Sequence, residues 1–255
     1  MNTESLFFRP FVCPGCGDFS TRTVCNPCKD SLRRNHSALL EKNEGIRAIY
    51  PVFFSFETTH RILVHWKNSG GQGLKRLLFS ASPALLEELR KLEIEHIVPI
   101  PQYHARNLKR GHAPALDVAE WFARELGVKV EHEALILNPE PTDKQSLRGA
   151  WERRFLDDPF RVNLDLRGKL GGKVLIVDDF ITSGSTLDKA ANALMGMNPE
   201  LRIHAASLGW RPKALPRNRE PFRLVFPAQK SRTASPECQS DSQSVPVRMT
   251  NRTNH

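Results

Sequence analysis

The sequence predicts an α/β protein built on a parallel sheet, preceded by a small four-cysteine module. Three observations carry that expectation. Lys173-Val174-Leu175-Ile176-Val177-Asp178-Asp179 is an apolar run of strand length, as expected for a strand buried on both faces. A polar turn, a helical stretch near Thr186–Met195 and an apolar strand at Ile203–Leu208 follow it, in the order of a right-handed parallel crossover. Four of the five cysteines, Cys13, Cys16, Cys25 and Cys28, fall within residues 1–35.

Residues 1–35 read as a metal module with little core of its own. Each C-x-x-C pair forms a knuckle with thiolates aimed at one ion, and eight residues separate Cys16 from Cys25, a spacing that suits a treble-clef or ribbon-like site. Gly15 and Gly17 fit the tight turn. Four sulfur ligands close the coordination sphere, so the ion is expected to be structural, with Zn²⁺ preferred over an iron–sulfur cluster or free thiols. No export signal is visible near Glu4, so a reducing, cytoplasmic location is expected, where such a quartet binds metal rather than forming disulfides. Cys238 stands alone and is read as idle.

Leu32–Glu44 is charged, lacks periodicity and reads as a linker. Ile46–Phe56, rich in β-branched and aromatic residues, predicts a strand or hairpin, with Pro51 marking an edge or a bend. Ile62, Leu63 and Trp66 give helical spacing to Thr58–Trp66, which ends at Lys67 and the turn Asn68-Ser69-Gly70-Gly71. Two further helices are expected around Leu74–Phe79 and Pro83–Leu92, the latter capped by Ser82. His96–Ile100 predicts a strand stopped by Pro101. Gln102–His112 reads as a basic loop, and Ala113–Leu126 as an amphipathic helix ended by Gly127. Short strands are expected at Val128–Val130 and Ala134–Leu137, and a charged helical arm at Asp143–Leu156. The body is thus assigned to residues 46–210, and residues 211–255 to a basic disordered tail in which only Phe222–Phe226 suggests a strand.

The charge is distributed unevenly. The net +9 is concentrated in residues 211–255, with nine basic and three acidic groups, so the body is nearly neutral. A nucleic-acid partner is therefore weakly supported for the body and open for the tail or the cysteine module. No apolar run reaches the length of a membrane span.

The chemistry concentrates after the apolar run. Asp178 and Asp179 end it, and Thr182, Ser183, Gly184, Ser185 and Thr186 form a hydroxyl-rich loop entering a helix. Such a loop offers backbone N–H groups, hydroxyls and the positive end of the helix dipole to a phosphate. Two carboxylates would repel a bare phosphate, so they need another partner, and ribose hydroxyls a few ångströms away are suitable donors. The pattern implies a ribose 5-phosphate group. An acid pair that merely caps a neighbouring helix is the structural alternative.

This stretch resembles the phosphoribosyl pyrophosphate (PRPP) motif of type I phosphoribosyltransferases. Further segments resemble the ComF/GntX-like branch of that superfamily: the cysteine module, Trp66-Lys67-Asn68-Ser69-Gly70, Val98-Pro99-Ile100-Pro101, Arg106 with Arg110-Gly111-His112-Ala113-Pro114-Ala115, and Thr142 with Gln145. The resemblance runs collinearly from about Val12 to Leu208. It departs where His112-Ala113-Pro114 replaces Phe-Asn-Gln, where Ser183 replaces a threonine, and where Phe155-Leu156 lacks an expected asparagine.

The resemblance implies a phosphoribosyltransferase-like core in which a nucleophile, usually nitrogen, displaces pyrophosphate from PRPP with Mg²⁺ present. Asp178 and Asp179 would then hold ribose hydroxyls, and Thr182, Ser183, Gly184, Ser185 and Thr186 the 5′-phosphate. Lys67 would compensate the pyrophosphate, with Arg106, Lys109 and Arg110 on a flexible polyphosphate-binding loop. The resemblance also links this branch to DNA uptake, which suits a non-catalytic PRPP-sensing or nucleic-acid-binding accessory as the alternative function.

Overall fold

The computed structural model describes residues 11–36, 39–41, 45–138, 159–211 and 223–225. In the cysteine module, β1 (Phe11–Val12) and β2 (Phe19–Ser20) pair as a hairpin ahead of α1 (Asn26–Asp30). The body follows as β3 (Leu39–Glu41), β4 (Ile46–Phe54), α2 (Glu57–Ser69), α3 (Gln72–Leu78), α4 (Pro83–Lys91), β5 (His96–Pro99), α5 (His104–Arg110) and α6 (Pro114–Leu126). It continues as β6 (Lys129–Val130), β7 (Leu135–Leu137), β8 (Phe160–Val162), β9 (Lys173–Ile181), α7 (Ser185–Met197), β10 (Arg202–Trp210) and β11 (Arg223–Val225).

The main sheet has the order β11-β3-β4-β10-β9-β5-β6. Strands β4, β10, β9, β5 and β6 run parallel, while β3 and β11 add antiparallel pairings at one edge. The expected α/β class with a parallel core is therefore present. Strand β9 lies inside the sheet and is buried on both faces. Leu175 and Val177 share a cluster with Ile62, Leu63 and Trp66 of α2, Leu85 and Leu89 of α4, and Val118 and Phe122 of α6. Val174 and Ile176 share the other cluster with Leu187, Ala190, Ala191 and Leu194 of α7. Beyond β5, the Ile100 N–H donates to the Val177 carbonyl at 2.8 Å, so the chain after β5 runs beside the end of β9.

Three stretches differ from the sequence expectation. Gln102–His112 contains helix α5, because Gly111 closes it in a left-handed conformation and Lys109 and Arg110 complement the negative end of its dipole. The run of charge that suggests a loop is the polar surface of a short helix. Strand β9 extends beyond Asp179 to Ile181, paired with Trp210. Within the expected linker, Leu32 and Asn35 are buried and Arg34 bridges to Phe53 of β4. The Asn35 N–H donates to the Val52 carbonyl and its Nδ2 to the Pro51 carbonyl, both at 2.8 Å, while Ser82 Oγ donates to the Asn35 carbonyl at 3.1 Å. This stretch lines the outer flank of β4, which explains how Pro51 is accommodated there. The polarity of Asn35 serves buried hydrogen bonds rather than solvent.

Other elements follow the sequence closely. Ser82 caps α4 by accepting from the Leu85 N–H at 3.2 Å, with Pro83 at the first helical position. A strand appears at Arg223–Val225, within the expected Phe222–Phe226, and pairs with β3. The arm at Asp143–Leu156, with Thr142, Gln145, Cys238 and the rest of the tail, lies outside the described residues.

Asn35 is the most sharply testable of these contacts. Replacing it with Leu leaves the Pro51 carbonyl without its side-chain donor, so Asn35→Leu should lower unfolding free energy by about 1–3 kcal/mol in urea denaturation. A change within about 0.5 kcal/mol would mean that the stretch is only loosely attached.

Candidate active site and metal centre

The acid pair lies near the carboxyl end of β9, ahead of Phe180 and the buried Ile181. Successive strand residues point to opposite faces, so Asp179 continues the face of Leu175 and Val177, and Asp178 that of Val174 and Ile176. Asp178 is buried, and its Oδ1 accepts from the Asp179 N–H at 2.7 Å. Burial first, and then the charge of Asp179, push its carboxyl up to about 8, against the opposing pull of that N–H and of Lys67.

Asp179 is 2% exposed and both of its oxygens are engaged. Lys67 Nζ reaches Oδ1 at 2.8 Å from the last turn of α2, and Gln102 Nε2 donates to Oδ2 at 2.9 Å from the segment after β5. The Lys67 ammonium also lies 5.3 Å from the centre of the Phe180 ring. The end of α2 is itself anchored. His112 links Asp117 Oδ2, at 2.8 Å, to the Lys67 carbonyl, at 3.1 Å, and Lys75 Nζ holds the other Asp117 oxygen at 2.7 Å. Gly70, with φ 65°, closes α2, and a Cβ there would lie 2.7 Å from His112 Cδ2.

Thr182 and Ser183 are exposed ahead of Gly184, which takes a left-handed conformation at the N-cap of α7. Gly184 has no side chain to cap this helix; Ser183 Oγ accepts from the Ser185 N–H at 3.4 Å and lies 3.0 Å from Ser185 Oγ. Ser185 and Thr186, exposed in the first turn, complete the hydroxyl loop beside the acid pair. Its backbone donors and dipole suit an anion.

The structure thus brings Lys67 to Asp179 across 112 residues of sequence. Arg106 and Arg110 lie on α5 rather than on a loop. The Arg106 guanidinium sits 5.1 Å from the centre of the Tyr103 ring, while the Asp179 oxygens are held by Lys67 and Gln102. Sequence reasoning missed Gln102, Phe180 and the positioning contacts of His112. Phe180 adjoins Asp179 in sequence, but Gln102 carries no signal beyond following Pro101.

In the cysteine module the four Sγ atoms all lie within 4.8 Å of one another. Tetrahedral zinc with Zn–S bonds near 2.3 Å requires sulfurs about 3.8 Å apart, and Cys16 and Cys25 are separated by 3.8 Å. Gly15 makes this approach feasible, since a Cβ there would lie 2.8 Å from Cys28 Sγ. Burial raises the Cys13 thiol, but N–H donors from Cys25, Cys16 and Gly15 outweigh it and bring the group down to about 6. Burial and the neighbouring sulfurs push Cys28 up. Four sulfurs gathered this closely are a donor set suited to a cation, and the cluster could hold zinc. The module also rests on α2: Arg61 Nε donates to the Gly15 carbonyl at 2.6 Å, and Cys13 and Cys28 share the cluster of Phe53 and Trp66.

Residues 118–241, just under half of the chain, match the family model of the phosphoribosyl transferase domain. The match includes Asp178, Asp179 and the hydroxyl loop, and it excludes Lys67, Arg106, Arg110 and the four cysteines. No curated protein matches the chain. Among the described residues, no helix is long and apolar enough to cross a membrane.

Two outcomes are expected. Folded Asp178 retains its proton to about pH 8, whereas an unfolded aspartate loses it near pH 4. The folded state therefore binds more protons in that window, and stability falls as pH rises through it. Asp178→Asn removes this cost, so its stability relative to wild type should grow between pH 4 and 8 in urea denaturation; a constant difference would contradict the assignment. For the module, the purified protein should carry about one equivalent of zinc. Cys13→Ser should lose the metal and lower the melting temperature of the whole chain, and elemental analysis that finds iron or no metal would refute this.

Proposed function

We propose that this chain binds PRPP with Mg²⁺ and transfers its phosphoribosyl group to a nucleophile, usually nitrogen, on the basis of the phosphoribosyl transferase domain match at residues 118–241. The observation that carries the reading is the meeting of Lys67, Gln102 and Asp179 beside the hydroxyl-rich N-terminus of α7. Ligands of parallel α/β sheets bind outside the carboxyl ends of the strands, where this group lies.

In this reading Thr182, Ser183, Ser185 and Thr186, with the backbone at Gly184, hold the 5′-phosphate. Asp179, with Asp178 behind it, accepts from the ribose hydroxyls. Lys67 exchanges its contact with Asp179 for the pyrophosphate, so the same ammonium serves the empty and the loaded site. Arg106 and Arg110 reach toward the polyphosphate from α5. Asp179, with Asp178 beside it, would hold Mg²⁺ carried in with the substrate, and the ion would offset charge on the leaving group. The collinear motifs support the ComF/GntX-like branch, and the four cysteines would hold a structural Zn²⁺. The reading also keeps residues 1–35 as the metal module and 46–210 as the transferase body, in a cytoplasmic protein.

A second reading, a PRPP-binding accessory without turnover that is addressed by nucleic acid through the module or tail, draws on the loss of two amides at His112-Ala113-Pro114. Pyrophosphate release from PRPP and Mg²⁺ across a panel of amines and nucleobases separates the two: release supports transfer, and binding without release supports the accessory.

The site assignment has its own test. PRPP should raise the melting temperature only with Mg²⁺, since ligand at about 100 times its dissociation constant adds about 2.7 kcal/mol. Asp179→Asn should weaken PRPP binding roughly 10- to 100-fold, the usual loss for a hydrogen bond to a charged group. Unchanged affinity in calorimetric titration would remove Asp179 from the site.

A further inference from the structure

His112 meets an acceptor at each ring nitrogen. Its Nδ1 lies 2.8 Å from Asp117 Oδ2, and its Nε2 lies 3.1 Å from the Lys67 carbonyl oxygen. A carbonyl oxygen only accepts hydrogen bonds. So does the carboxylate of Asp117, whose other oxygen is paired with the Lys75 ammonium at 2.7 Å. A neutral imidazole carries one N–H, so it serves one of these contacts and sets a lone pair against the other. Both are served at once only when both nitrogens carry a proton and the ring is an imidazolium. The place suits a cation, because the Lys67 carbonyl is among the last four of α2, where a positive group complements the negative end of the helix dipole. Edge-on contact with Trp66, with ring centres 5.3 Å apart, and the close approach of Gly70 fix the ring. The charged groups around it are Asp117 of α6, Lys75 of α3, Lys67 of α2 with its ammonium turned to Asp179, and Lys109 and Arg110 at the end of α5.

We propose that His112 is a positioning residue that works as an imidazolium: it caps α2, fixes Lys67 and residues 68–71, and ties PRPP affinity to pH. The inference rests on the phosphoribosyl reading, in which Lys67 compensates the pyrophosphate. His112 acts through α2 rather than on the ligand. Histidine is the side chain whose charge changes between about pH 5 and 8. When the proton leaves, the ring keeps a single N–H, so either Asp117 or the Lys67 carbonyl loses its donor. A positive charge behind the end of α2 is lost with it. The affinity that His112 contributes is therefore present at low pH and lost as pH rises. The phenylalanine of the resembled pattern can neither donate nor carry charge, so the dependence belongs to the departure at His112.

Two measurements on the full chain, made across about pH 6 to 9, test the idea together. Nitrogen-15 NMR of histidine-labelled protein reads the ring, with the His112 signal assigned by its loss in His112→Phe. It should show both nitrogens protonated at the acid end and one at the alkaline end. Calorimetric titration of PRPP·Mg²⁺ into wild type and His112→Phe gives the ratio of their affinities. Wild type should bind about fivefold more tightly at the acid end, the size of a cation's effect at a helix C-terminus. The ratio should approach one through the same interval in which the His112 signal loses its second proton. The substrate's phosphates and Asp178 are present in both proteins, so the ratio isolates His112. Asp117→Asn keeps the ring and offers an amide that can donate to Nδ1, so a neutral ring with its proton on Nε2 serves both contacts. The pH dependence should flatten in this variant. A constant ratio, a singly protonated ring at the acid end, or an undiminished dependence in Asp117→Asn would overturn the inference and leave the phosphoribosyl reading standing. Failure of wild type to bind PRPP·Mg²⁺ at any pH would overturn that reading and the inference with it.

Discussion

Asp178 and Asp179 stand side by side at the end of a buried strand, and the Lys67 ammonium 2.8 Å from Asp179 is the cation that offsets their repulsion. Removing two carboxylates from water and placing them in sequence is costly unless one is neutralised and the other is paired. The structure does both. Asp178 turns back onto the Asp179 N–H and is pushed toward its neutral form, while Asp179 receives Lys67 and Gln102. Such tension is typical of a site whose charges are completed by a ligand, because a buried carboxyl with raised proton affinity beside a second acid serves binding better than stability.

The rest of the architecture brings this cation to this acid. Helix α2 packs Ile62, Leu63 and Trp66 against the face of β9 that carries Asp179, and ends at Gly70 where His112 holds the Lys67 carbonyl. The cysteine module bears on the same helix through Arg61 and Gly15 and through a shared apolar cluster. A metal in the module would therefore act on the acid pair only by fixing α2. Four sulfur ligands would close its coordination sphere and leave no place for a substrate.

What is legible in the sequence is what lies contiguous in it. Strand β9, the acid pair and the hydroxyl loop are adjacent residues, so their chemistry is readable from the chain alone. The four cysteines are legible because metal geometry imposes short spacings. Lys67 is reached through resemblance alone, since 112 residues separate it from Asp179. Gln102 and His112 stay hidden because each acts through a contact that only tertiary packing creates. Leu32–Glu44 and Gln102–His112 mislead for one reason: polarity signals solvent in a linear reading, yet Asn35 spends its polarity on buried carbonyls and α5 presents its charges outward from a helix.

A double-mutant cycle on Lys67 and Asp179 tests the central claim most directly. Unfolding free energies of wild type, Lys67→Met, Asp179→Asn and the double variant would be measured in urea at pH 7. If the ion pair organises the site, the two substitutions should be non-additive by about 1 kcal/mol or more, because either one alone leaves an uncompensated charge at the end of β9. Additivity within about 0.3–0.5 kcal/mol would show that the two side chains are neighbours without being coupled, and would contradict the account.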